Sequence, residues 1–166
     1  MGNSLVSIVA AGCLLIACNE TDRSHDMPVQ ESVQETAETS FDSVYAQKLG
    51  ADDYGMRKYV MAFLKKGPNR DQDDSTKNAL QSAHMANISR MTEEGTLVLA
   101  GPFLDNGDLR GIYIFAVDSL QQAEELTNSD PAVQAGVFSM ELHEWYGSAA
   151  IMEVSEIHEQ ISKIKF

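Results

Sequence analysis

Two segments of this chain, residues 57–64 and 110–117, are apolar on both faces. In the first, Tyr59, Met61 and Phe63 point one way and Val60, Ala62 and Leu64 the other. Strands of this kind belong inside a sheet that is covered on both sides. Residues 96–100 form a further strand, and residues 137–145 a fourth. In the fourth, Phe138, Met140 and Leu142 face the core while Ser139, Glu141 and His143 face away, so it belongs at an edge. Between the first two strands, residues 74–94 read as a helix. Leu80, His84, Ile88 and Met91 fall on one stripe, Asn87 lies beside it, and Gly95 ends it. Asp105-Asn106-Gly107-Asp108 is a turn. Ser119, with Gln122 three residues on, opens a second helix as a capping box, and Pro131 stops that helix before Asp130. The order is β-α-β-β-α-β, a ferredoxin-like α+β fold with both helices on one face of an antiparallel sheet. Its first and third strands are central, which are the two with apolar residues on both faces. The face without helices needs a cover, and a second copy packed sheet on sheet, about 10 Å away, is the expected one.

The flanks read differently. Residues 5–17 are uncharged and mostly apolar, too short for a membrane span of about 20 residues and suited to a signal peptide. Leu15-Ile16-Ala17-Cys18 resembles a bacterial lipoprotein box. The expectation is a leader over residues 1–18, lipidation at Cys18 and anchoring in the bacterial cell envelope. Asn19 after the cysteine points to the outer membrane. The only other cysteine is Cys13, so the rest of the chain has neither a disulfide framework nor a thiolate metal site. Residues 19–55 carry nine acids against two bases and no hydrophobic period, which reads as a flexible acidic tether, with residues 41–49 able to form a helix or dock. The domain spans residues 56–150. Residues 151–166 form an apolar helical stripe through Ile151, Val154, Ile157, Ile161 and Ile164, a tail expected to pack on its own domain or a partner. With a net charge of −13 and no basic stripe along the chain, nucleic acid is excluded as a partner.

Candidate chemistry is sparse. His84 sits on the buried helix stripe, where a ring with an unperturbed pKa near 6.5 could move a proton or could simply be a satisfied core side chain. Asp130 before Pro131 is an ordinary helix cap, or the partner that would fix the tautomer of His84. Gly101-Pro102 makes a tight turn or lets backbone approach a ligand. Tyr113, Phe115, Phe103 and Trp145 are core residues or pocket walls. His143 reads as a surface residue. No two histidines have metal-ligand spacing, and G-x-S-x-G, P-loop and dinucleotide motifs are missing.

Taken in order, Tyr59-Val60-Met61-Ala62-Phe63, His84-Met85-Ala86-Asn87-Ile88, Leu99-Ala100-Gly101-Pro102-Phe103, Asp130-Pro131-Ala132, Ala135-Gly136 and Trp145 resemble the YCII-related domain family over about residues 57–150. The resemblance implies a ferredoxin-like domain dimerising through its sheet, as in dimeric α+β barrels. It further implies an active site centred on His84 and Asp130. Gly101, Pro102, Phe103, Tyr113 and Trp145 are the residues expected around a ligand on their own chemistry. Relatives in that superfamily include isomerases, dehydrohalogenases and cofactor-free monooxygenases of small, often aromatic molecules. The chain departs from one subgroup at Ala100, where that subgroup has Asp. Two functions follow as expectations. One is a cofactor-independent enzyme, without metal, for elimination or isomerisation of a small organic molecule. The other is a non-catalytic ligand-binding or structural envelope lipoprotein.

Overall fold

A computed structural model describes residues 40–164. The leader with Cys18 and the tether up to residue 39 lie outside the described residues. From residue 40 the expected tether is folded. Helix α1 (Ser43–Leu49) is capped by Asp42, buries Leu49, and its carbonyl at Leu49 accepts from the Arg57 guanidinium at 2.9 Å. The domain therefore begins earlier than residue 56, because α1 supplies an apolar side chain and a carbonyl that the first strand uses.

Strand β1 (Met56–Lys66) leads into α2 (Asp74–Glu93), then β2 (Leu97–Pro102), β3 (Leu109–Phe115), α3 (Leu120–Asn128), the short α4 (Pro131–Gln134) and β4 (Phe138–Ser148). The four strands form one antiparallel sheet in the order β2-β3-β1-β4. The fold is thus α+β with β-α-β-β-α-β connectivity, β1 and β3 are central, and β4 is an edge. Asp73 caps α2 through Thr76 N at 3.0 Å, and Ser119 caps α3 through Gln122 N at 3.2 Å.

The two faces of the sheet bury different sets. On the helical side Val60, Ala62, Tyr113 and Phe115 pack with Met91, Leu97 and Ala123. Each large side chain fully buried there contributes roughly 1.5–3 kcal/mol relative to exposure. On the far side Tyr59, Val98 and Ile114 pack with Trp145, Ile151 and Met152. The chain thus covers part of this face itself, through a 3-10 turn (Ala149–Glu153) that precedes α5 (Val154–Ile161). The tail brings Ile151 and Met152 back over that end of the sheet. Met61, Phe63 and Ile112 on the same face are half-buried.

Candidate active site

His84 lies in the middle of α2, on the stripe turned toward the sheet, and is 5% exposed. Asp130 sits at the break between α3 and α4 and is 1% exposed. The Nδ1 of His84 and Oδ2 of Asp130 are 2.5 Å apart. The other carboxyl oxygen of Asp130 accepts from Ala132 N at 2.8 Å. One aspartate therefore caps α4 and holds the imidazole. Pro131 enforces this arrangement, since it keeps residue 130 extended (φ −76°, ψ 121°) and stands at the first helical position.

A carboxylate at Nδ1 accepts the Nδ1 proton, so the neutral ring carries its lone pair on Nε2. The Tyr113 hydroxyl lies 3.3 Å from Nε2. Burial first, and the negative charge of Asp130 second, push the Tyr113 hydroxyl well above its ordinary pKa of 10.0. It therefore remains a proton donor across the physiological range. Phe138 closes on the imidazole with ring centroids 5.1 Å apart. Behind the pair, Arg90 Nη2 donates to Asn87 Oδ1 (2.9 Å) and to Ser129 Oγ (3.0 Å), and Ser129 Oγ donates to Asn87 Oδ1 (3.2 Å). That network ties α2 to the residue next to Asp130.

His84 borders a cavity of about 720 Å³ between α2, the β2–β3 half of the sheet and α5. Gly101, Pro102 and Tyr113 line it, while Asp130 stays behind the imidazole. Gly101 and Pro102 are not a turn. They end β2 and pair with Ile112 and Gly111. A Cβ at Gly101 would meet open space, whereas one at Gly111 would stand 2.6 Å from the Gly101 carbonyl oxygen. The steric demand for glycine is thus at Gly111, which the sequence pattern did not single out.

Two expected ligand-site residues are elsewhere. Trp145 pairs with Tyr59 on the far face, ring centroids 5.7 Å apart, and its indole lies over Gly147. It is an odd-numbered residue of β4 like Glu141 and His143, so the strand pleat turns it away from the helices. Phe103 follows the end of β2, is 40% exposed and does not border the cavity. Conversely, Phe138 was legible only as a core residue, and the tail residues Val154, Ser155 and His158, which wall the cavity, gave no chemical signal. His143 is exposed and lies 2.9 Å from Glu141. Among the described residues no three His, Cys, Asp or Glu side chains are grouped to hold a metal.

A chain of this order, with a buried His–Asp pair opening on a cavity, has known relatives. Residues 58–146 match the YCII-related domain, and the chain belongs to that family. The uncharacterized protein YjpA of Bacillus subtilis (strain 168) is 33% identical over 64 residues, which are 39% of this chain and 73% of that protein. A solved structure of 5-chloro-2-hydroxyhydroquinone dehydrochlorinase (TftG) from Burkholderia phenoliruptrix AC1100, in complex with 2,5-dihydroxybenzoquinone, covers 54% of this chain and 93% of its own at 20% identity and a TM-score of 0.40.

Proposed function

We propose that this YCII-related protein is a cofactor-independent acid–base enzyme that isomerises, or eliminates a leaving group from, a small organic molecule held in the His84 cavity. The observation that carries this reading is the buried 2.5 Å contact between His84 Nδ1 and Asp130 Oδ2, in a histidine that borders an open cavity and has the Tyr113 hydroxyl 3.3 Å from its other ring nitrogen. Nε2 takes a proton from an activated carbon, so a C–H bond breaks and an N–H bond forms. The released electron pair moves into a neighbouring carbonyl to give an enolate, which isomerisation completes by return of the Nε2 proton to another carbon, or it forms a double bond as a leaving group departs with its own pair. Asp130 stabilises the imidazolium through Nδ1–H, as an aspartate does in triads. The Tyr113 hydroxyl, kept protonated by its burial, donates toward the same nitrogen or toward a nearby oxyanion.

The half-buried Met61, Phe63 and Ile112 support a second copy over the remaining far face of the sheet, away from His84. The lipoprotein box at Cys18 supports anchoring of such a dimer in the cell envelope.

The reading is tested by deuterium incorporation from D₂O into a panel of small cyclic ketones, lactones and unsaturated acids, followed by NMR. Wild-type protein is expected to exchange at least one of them faster than buffer. His84→Gln should lower that rate by about 10²–10⁴-fold while melting cooperatively. An unchanged rate in the variant overturns the proposal. So does a variant that fails to fold when the wild type exchanges nothing in the panel, since His84 would then be structural.

A further inference from the structure

A second cavity of about 200 Å³ adjoins the first, and three cationic side chains border it: Arg70, Lys77 and Arg110. They come from the loop after β1, the first turn of α2 and the start of β3. Three of the twelve Lys and Arg residues of a chain with net charge −13 thus meet at one small cavity. The two guanidiniums are poorly used within the protein. Arg70 Nη1 donates to the Val137 carbonyl at 3.3 Å, and Arg110 Nη1 to the Asp105 carbonyl at 3.4 Å. Among the described residues neither arginine forms an ion pair, and Lys77 has only a loose surface contact of 3.6 Å with Asp74 on its own helix. Gathering like charges costs free energy unless an anion answers them.

The position matters as much as the charge. Gln81, Arg110 and Phe138 border both cavities, and Phe138 is also the ring packed on His84. Those three side chains thus form a boundary common to both spaces, beside the imidazole. Planar guanidiniums with free N–H groups match the two oxygens of a carboxylate. We propose that the small recess is a carboxylate-binding subsite, so that the ligand of the His84 cavity is an organic acid whose carboxylate rests among Arg70, Lys77 and Arg110. The assignment of the reacting end to His84 rests on the function proposed above, whereas the subsite itself is a matter of binding.

The test is an NMR titration of the folded chain with benzoate and with benzamide, its neutral match in size. Benzoate is expected to shift His84 and Arg110 signals saturably and to bind at least fivefold tighter than benzamide. Arg110→Met should abolish most of that preference, and Arg70→Met should reduce it. If Arg110→Met does not fold, Arg70→Met and screening of the preference by 0.5 M NaCl decide the matter. Equal affinity for the two compounds overturns the proposal, as does a preference that survives both substitutions and salt. A benzoate effect confined to Arg110 overturns the shared-ligand part. Intact benzoate preference in a protein that exchanges no carbon acid would sink the enzyme reading alone. Carbon-acid exchange without anion preference would sink only the subsite.

Discussion

At the scale of single residues, Asp130 has two oxygens and each has a separate partner. One satisfies a backbone N–H at the start of α4 and the other takes the imidazole N–H of His84. Capping and catalysis, which the sequence poses as alternatives, are therefore compatible in one side chain. Tyr113 completes the set. Its hydroxyl is held neutral by burial and by the nearby carboxylate, so its folded-state pKa is raised above the 10.0 of an exposed phenol. The unfolded chain releases the Tyr113 proton first, so the contribution is fully present below about pH 10 and fades as pH rises toward the folded value. Tyr113→Phe should therefore show a shallower loss of stability above pH 10 than wild type in urea titrations at stepped pH. Parallel loss in the two proteins would show that Tyr113 ionises as freely in the fold as outside it.

At the scale of elements, the β2–β3 ladder forms one wall of the cavity and sets its tolerance. Gly111 faces the Gly101 carbonyl so closely that any Cβ must push the strands apart, while Gly101 faces empty space. Gly111→Ala should cost about 1–3 kcal/mol by overpacking, and Gly101→Ala should stay within about 0.5 kcal/mol in denaturant melts. Equal effects at the two positions would contradict this ladder geometry. The elements themselves were largely legible. Period-two segments with two apolar faces became the central β1 and β3, and the alternating β4 became an edge. His84 was legible because the stripe of α2 turned it inward, and Asp130 because Pro131 fixes the backbone before it. Other features depend on contacts that a linear pattern does not encode. Trp145 looked like a pocket wall, but the pleat of β4 sends it to Tyr59. The meeting of Arg70, Lys77 and Arg110 joins a loop, a helix and a strand, and no local period marks such a convergence. The tail's apolar stripe was visible, but not that α5 would wall the cavity.

At the scale of the whole molecule, an acidic chain places a buried His–Asp pair, the cavity beside it and a cationic recess within one fold. In the proposed function His84 acts on a ligand while Asp130 holds it, rather than both serving only to pin α2 to α4. Asp130→Asn separates these roles, because asparagine caps helices as well as aspartate does but carries no charge to stabilise an imidazolium. The direct measurement is the rate of deuterium incorporation into the best-exchanging carbon acid, set beside the melting temperature of the same samples. The rate is expected to fall about 10²–10⁴-fold with a melting temperature shifted by only a few degrees. A rate equal to wild type would contradict it, and so would a collapse of stability in a protein whose wild type shows no exchange.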